Sequence, residues 1–303
     1  MMANDGFVRV QAPATTANLG PGFDSLGIAL GLHNTVELKP ADVPLVEIAG
    51  EGSGVLPSDE ANLTYQAAQR LAEKAGYQGH WHLRQQNNIP LASGLGSSSA
   101  AIVAGIMAAQ QALDYQPDSQ ETLALATEIE GHPDNVAPAL FGGLTVCFEQ
   151  FDGTKAAVAL DAPAGLQAVL VIPDFQVSTR DARAALPAQV PFRDAVFNTG
   201  QAAAVVAMLA TGRYDGLAAA MRDRLHQPYR AHLVPGMEEL IRAAIEADAR
   251  GAALSGSGPT IVALAEQQDC EMVRTAMLEA GQATGRHWSS MILPLDNDGV
   301  RII

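Results

Sequence analysis

The sequence predicts two domains of mixed strand and helix, an α+β or α/β protein, on three observations. Short alternating runs bounded by Gly, Pro or Asn recur as strands do, at residues 7–11, 35–39 and 81–85 among others. Apolar residues at helical spacing fill segments between and beyond those runs. An Ala/Gly/Pro-rich segment after the turn F-D-G-T-K at 151–155 separates two such halves. The boundary falls near Gly165 and divides the chain into residues 1–160 and 161–303.

After the first two strands, residues 62–76 place Leu63, Ala67, Leu71 and Ala75 at helical spacing and end on a glycine suited to a left-handed cap. Residues 97–113 and 120–130 read as two more helices, and 143–148 as a strand. In the second half, 167–173 is a strand and 194–210 and 235–249 are helices. Strands at 252–255 and 260–264 flank a glycine turn, and a helix at 269–280 and a strand at 287–293 complete the pattern. No internal repeat is present.

Composition narrows the function. A chain of 303 residues, 48% hydrophobic and 17% charged, is long enough for two cores and is not of disordered composition. Cys147 and Cys270 lie far apart and outside any C-x-x-C spacing, which argues against a disulfide framework or zinc site and fits a reducing cytoplasm. The start, M-M-A-N-D-G-F-V-R-V, lacks a basic region followed by an apolar core, so no cleaved signal is expected. The longest apolar runs, such as 202–210, fall well short of the ~20 residues that cross a bilayer, so no membrane partner is expected. A net charge of −15 and a pI near 4.7 exclude a general basic footprint for nucleic acid or anionic lipid. An anionic ligand must be held by local dipoles and a few arginines.

One stretch offers such dipoles. Pro90, Leu91, Ala92 and Ser93 lead into Gly94, Leu95 and Gly96, and Ser97, Ser98, Ser99 and Ala100 open a strongly apolar helix. A linker does not abut a core helix so tightly. The glycines reach backbone angles closed to other residues, and the serines lie where a first helical turn leaves N–H groups without partners, which makes an anion pocket. A Walker loop is excluded because no lysine follows, and a dinucleotide fingerprint fails at its third glycine, where Ser99 stands. Phosphate binding and a glycine-rich packing turn both remain open on these grounds.

P-x-x-x-G-L-G-S-S from Pro90 to Ser98 resembles the phosphate-loop signature of the superfamily of galactokinase, homoserine kinase, mevalonate kinase and phosphomevalonate kinase (GHMP kinases). A-P-A-T-T-A-N-L-G-P-G-F-D-S-L-G at 12–27 and L-S-G-S-G-P-T at 254–260 match the same superfamily in chain order. E-G-H-P-D-N-V-A-P-A-L-F-G-G at 130–143, D-A-R-A-A-L-P at 181–187 and P-Y-R-A-H-L-V-P-G at 228–236 resemble the homoserine kinase family within it. The resemblance implies an α+β fold with an N-terminal domain like ribosomal protein S5 domain 2 and a C-terminal ferredoxin-like domain, and a homodimer. It also implies the activity: ATP-dependent phosphorylation of the L-homoserine hydroxyl to O-phospho-L-homoserine, on the route to threonine. The alternatives are another GHMP kinase with an amino-acid or polyol substrate, or a non-catalytic metabolite sensor of the same fold.

By that resemblance, residues 90–100 cradle the phosphates of ATP, and Asn62 in A-N-L-T bonds the adenine edge, although a helix N-cap explains Asn62 equally well. Ser98 and Glu130 hold Mg2+, whose hard character favours oxygen ligands; a helix cap and a solvated helix end are their plain alternatives. Homoserine carries an ammonium, a carboxylate and a hydroxyl, so its site needs an acid, arginines and a neutral polar group. The resemblance assigns Asp24 to the ammonium and Arg183 and Arg230 to the carboxylate, with His132 nearby. It sets Asn18 and Asn135 by the hydroxyl, adds Thr179 and Gly258 as further contacts, and places Gly256 with Gly258 in a loop that lies against the phosphate loop and the substrate. Sugar and mevalonate kinases carry a base in an S-G-x-D-N context. Here E-G-H-P-D-N stands instead, so Asp134 is not assigned as a base and the hydroxyl proton is expected to leave late, to a phosphate oxygen. His80 and His82 share a strand face without a third metal ligand and are set aside, as are His33, His226, His232 and His287.

Overall fold

A computed structural model describes residues 6–303; the first five residues, part of the stretch read for a leader, lie outside the described residues. β1 (Val8–Ala17) and β2 (Leu26–Ala41) form a long antiparallel pair whose register shifts between Pro13 and Ala14. β3 (Leu45–Gly50), α1 (Leu63–Lys74) and β4 (His80–Asn87) follow as a βαβ unit with parallel neighbouring strands. Next come α2 (Ser97–Leu113), α3 (Ser119–Glu130), α4 (Pro133–Phe141) and the antiparallel pair β5 (Leu144–Glu149) and β6 (Lys155–Leu160).

The second sheet begins with β7 (Leu166–Pro173). α5 (Thr179–Ala184), α6 (Phe192–Thr211), α7 (Leu217–Ala220), α8 (Gln227–Arg230) and α9 (Met237–Glu246) precede β8 (Gly251–Leu254) and β9 (Ile261–Glu266). α10 (Cys270–Gln282), β10 (Trp288–Pro294) and β11 (Arg301–Ile302) end the chain.

The first sheet runs β11-β1-β2-β4-β3, and β2 is long enough to pair with β5 near its start and β4 near its end. The second runs β10-β7-β9-β8 with antiparallel neighbours throughout, so β7 and β8 are parallel with β9 between them, the split βαβ of a ferredoxin-like unit. The chain is α+β, as the motifs implied. Among the described residues no helix is long and apolar enough to cross a membrane.

Each sheet buries its own apolar face. Val10, Val36, Leu38, Trp81 and Leu83 pack on α1 and α2 in the first, and Val169, Val171, Leu254 and Ile261 on α9 and α10 in the second. A third cluster joins them: Leu19, Leu26, Ile28 and Leu144 meet Leu209, Leu217, Met221 and Leu264. This bridge fixes one sheet against the other, so groups projecting into the cleft keep their relative positions.

Several elements differ from expectation in extent. β1 and β2 continue through A-T-T-A and L-G-I-A-L-G, where small residues hide the alternation. α4 lies in a segment to which no element is assigned from the sequence; it holds two prolines, of which Pro133 stands at the helix start, where its missing N–H is no loss. β6 occupies part of the segment read as a linker and pairs with β5.

The last residues return to the first sheet: β11 pairs with β1, Asp296 N–H donates to Ala29 O at 3.0 Å, and Gly143 N–H donates to Asp296 O at 2.8 Å. The Asp296 carboxylate lies 2.8 Å from His33 Nε2 and accepts from the N–H groups of Asp298 and Gly299 at 2.9 and 2.8 Å. Burial pushes this carboxyl up, but the His33 contact and the two N–H groups outweigh it and hold it below its ordinary 3.8. A depressed folded-state pKa stabilises above the unfolded value, and the contribution is lost as pH falls through the folded value. Asp296→Asn is therefore expected to destabilise by about 1–3 kcal/mol at neutral pH. In denaturant melts the gap to the parent should close as pH is lowered below about 4, and a pH-independent gap would refute the account.

Candidate active site

One cavity gathers the groups from both domains. It is lined by the turn after β1, the loop before α2, the α3–α4 junction, the start of α5, Arg230 at the end of α8, and the loop after β8.

The loop before α2 is built on two glycines with positive φ. Gly94 (φ +82°) presses on the second domain, where a Cβ would collide with Ser255 O; Gly96 (φ +67°) presses on β1, where it would collide with Thr15 Oγ1. Thr15 N–H donates to Leu95 O (3.0 Å), Thr260 N–H to Ser93 O (3.2 Å) and Ser255 Oγ to Gly94 O (2.7 Å). Gly96 is the residue before the first turn of α2 and no side chain caps that turn, so its N–H groups remain for a ligand. Ala92, Ser93, Gly94, Gly96 and Ser98 line the cavity. Leu95 and Ala100 are instead core anchors, and Ser99 is buried.

Ser98 is not a cap, since it stands inside the helix, and Glu130 is not a solvated end, since its side chain is only 10% exposed. Ser98 Oγ donates to Glu130 Oε1 at 2.6 Å and Ser99 Oγ to the same atom at 2.9 Å. Three oxygens thus meet at the cavity edge, a donor set that suits a hard divalent cation.

Beyond Glu130 the chain turns into α4. His132 Nδ1 lies 2.7 Å from Asp134 Oδ1, and His132 Nε2 lies 4.0 Å from Glu130 Oε1. Burial opposes the charged imidazole, but the hydrogen bond and charge of Asp134, with the charge of Glu130, outweigh it and raise the His132 pKa above 6.5. Asn135 Nδ2 donates to Asp134 Oδ1 (3.3 Å), and Asn135 Oδ1 accepts from Thr15 (2.9 Å).

The turn after β1 presents Asn18 and Asp24, both at positive φ. Asn18 Nδ2 donates to Gly256 O (2.8 Å), and its oxygen accepts from Asp24 N–H (3.0 Å), which sets the aspartate. Arg183 on α5 meets Asp24 in a bidentate pair, Nη1–Oδ2 3.0 Å and Nη2–Oδ1 2.8 Å. Thr179 opens α5 and faces the same space.

Arg230 differs from Arg183. It is 2% exposed, and its protein partners are neutral: Nε donates to Ala182 O and Nη1 to Gly256 O, both at 3.1 Å, and Nη1 lies 3.3 Å from His226 Nδ1. Its guanidinium lies 5.2 Å from the Phe23 ring centroid. Burial and the nearby Arg183 charge pull its pKa down to about 10, so it stays protonated at neutral pH.

Two expected contacts fall elsewhere. Asn62 is the buried cap of α1; its oxygen accepts from Thr64 and Tyr65 N–H, and its two amide hydrogens go to Gln85 Oε1 and Pro57 O, leaving none for a base edge. Gly258 lies behind Gly94, whereas Gly256 of the same loop, with Ser257, faces the cavity. Pro90, Leu91 and Ser97 support the loop without lining the cavity. Phe23 was missed because an aromatic in a glycine-rich turn reads as packing, and His226 because nothing near it in sequence hints at a partner on the first domain.

Two family models match the chain, GHMP kinases N terminal domain over residues 62–143 and GHMP kinases C terminal over 204–283. A homoserine kinase from Desulfitobacterium hafniense is 42% identical across 98% of this chain and 100% of its own. One from Synechococcus sp. is 45% identical across 97% of each. The crystal structure of homoserine kinase from Cytophaga hutchinsonii superposes with a TM-score of 0.89 at 33% identity, covering 100% of this chain and 99% of that one. With both domain models matched and such identity sustained end to end, the chain belongs to the homoserine kinase family of the GHMP kinases.

Proposed function

We propose that the protein transfers the γ-phosphoryl group of ATP to the side-chain hydroxyl of L-homoserine, forming O-phospho-L-homoserine and ADP on the route to threonine. The observation that carries this reading is the company kept in one cavity. An uncapped helix start and an oxygen pair suited to magnesium stand beside an acid and two arginines suited to an amino-acid zwitterion.

In this reading the backbone N–H groups at the start of α2 hold the phosphates, since their unpartnered dipoles favour anions. Ser98 Oγ and the Glu130 carboxylate would hold magnesium, which when bound neutralises charge on the phosphate oxygens. Asp24, fixed by Asn18, takes the substrate ammonium, and Arg230 takes the carboxylate through Nη2, which has no protein acceptor among the described residues. Arg183 joins Arg230 while staying paired with Asp24, so ammonium and carboxylate lie along one ion pair. Asn135, held by Thr15, stands by the hydroxyl with His132 and Thr179 near it. Asp134 commits Oδ1 to His132 and Asn135 and orients them, and the hydroxyl proton leaves late, to a phosphate oxygen. Two buried, unpaired cysteines support a reducing cytoplasm as the place of action.

ADP release measured with L-homoserine, L-serine, L-threonine and mevalonate side by side should rise with homoserine first; no stimulation by homoserine would sink the assignment. Arg230→Ala removes a charge-assisted contact of about 1.5–3 kcal/mol and should raise the homoserine KM about tenfold or more while leaving the ATP KM within about twofold. Equal effects on both substrates would take Arg230 out of the clamp. Glu130→Gln should lower kcat by about tenfold or more and raise the magnesium needed for half-maximal rate, and an unchanged metal dependence would remove Glu130 from the metal site. Asp134→Asn is expected to keep partial turnover; complete loss with homoserine binding intact would make Asp134 the base.

A further inference from the structure

His226 opens α8, is 0% exposed, and spans the two domains. Its Nε2 lies 2.7 Å from the carbonyl oxygen of Gly20, in the turn that carries Asn18 and Asp24, and its Nδ1 lies 3.3 Å from Nη1 of Arg230. These partners decide the tautomer. A carbonyl can only accept, so Nε2 must carry the hydrogen; a guanidinium can only donate, so Nδ1 must be bare.

We infer that His226, as the neutral Nε2–H tautomer, is a positioning residue for Arg230: it orients the guanidinium through Nδ1 without neutralising it, leaving the Nη2 edge and its charge for the substrate carboxylate. Among the described residues, carbonyl oxygens of Ala182 and Gly256 accept the other protein-directed hydrogens, so three of the five guanidinium hydrogens are spent on partners with no formal charge. A carboxylate in place of the imidazole would satisfy the same hydrogen bond and cancel the charge. The charged groups around the ring are Arg230, Asp24 and Asp223, with the Phe23 ring at 5.3 Å between centroids. Asp223 lies 3.6 Å from Nε2, but its oxygens accept from the N–H groups of Leu225, His226 and Gln227 and from Asn198 Nδ2. Burial, with Arg230 adding to it, keeps the imidazole pKa below 6.5 despite that carboxylate.

The inference rests on the reading of Arg230 as the carboxylate clamp, and the two are tested separately. Nitrogen-15 spectra of histidine-labelled protein should show His226 with one protonated and one bare nitrogen at neutral pH and above. A doubly protonated ring at neutral pH overturns the proposal whatever the kinetics. In steady-state assays His226→Ala and His226→Glu should raise the homoserine KM about tenfold with the ATP KM little changed. His226→Gln, whose amide can accept from Arg230 and donate to Gly20 O, should stay within about threefold of the parent. A glutamine variant as impaired as the alanine one, an unchanged homoserine KM in His226→Ala, or equal rises for both substrates overturns it. If the alanine and glutamate variants fail to fold, the glutamine variant and the spectra decide. An Arg230→Ala enzyme with a normal homoserine KM would instead refute the clamp itself.

Discussion

The site depends on a three-way junction in which segments from residues 15–18, 93–96 and 255–260 hydrogen-bond to one another. Ser255 Oγ is 2.7 Å from Gly94 O and 2.9 Å from Thr16 Oγ1, Gly256 N–H donates to Ala17 O at 3.1 Å, and Asn18 Nδ2 donates to Gly256 O at 2.8 Å. The packing is so close that neither Gly94, facing the backbone of Ser255 and Gly258, nor Gly96, facing the Thr15 side chain, can accept a Cβ. The loop before α2 is thereby wedged between the two domains, and a shift of either sheet would move it. The apolar bridge around Leu19, Leu26 and Met221 prevents that shift. The three motifs that stand far apart in the chain are the three sides of this one contact.

The junction also explains how an acidic protein presents positive charge. Arg183 is 38% exposed in its side chain and bound to Asp24, so the pair is close to neutral and partly screened. Arg230 is buried among carbonyls and an imidazole, and a buried cation without a paired anion is costly unless a ligand supplies one. A substrate carboxylate gains most where the desolvation is already complete, which is at Arg230. Under the proposed function the Asp24–Arg183 pair would discriminate by geometry, because an ammonium and a carboxylate would have to lie in fixed order along it.

Much of this was legible in the sequence. The helix from Ser97 to Leu113 is marked at its start by glycine and serine and thereafter by an apolar run from Ala100 to Ala109, and local signals sufficed. The acid, the arginines and the Ser98–Glu130 pair were found through motif order, since Arg183 and Asp24 are 159 positions apart and no local pattern links them. What stayed hidden has physical causes. Asn62 has the same chemistry as a cap and as a base contact, and only its saturated amide distinguishes them. Half of β6 is alanine, and its partner β5, not its own alternation, makes it a strand. His226 acts across the domain interface, and its role is defined by Gly20 O, which no side-chain pattern encodes.

The absence of lysine from the loop has a consequence for how phosphate charge is met. No lysine or arginine occurs between Arg84 and Lys155, so the loop, α2, α3 and α4 carry no side-chain cation but His132. That histidine faces Asp134 and Glu130, which take up its charge. The start of α2 offers dipoles worth only about half an elementary charge. Nucleotide phosphates therefore cannot be balanced by this half of the cavity alone, and the Ser98–Glu130 oxygens, an otherwise unfavourable anionic feature next to phosphate, make sense as the means of bringing in a divalent cation. Under the proposed function, the charge that a Walker lysine would fix in place would instead arrive with a bound cation.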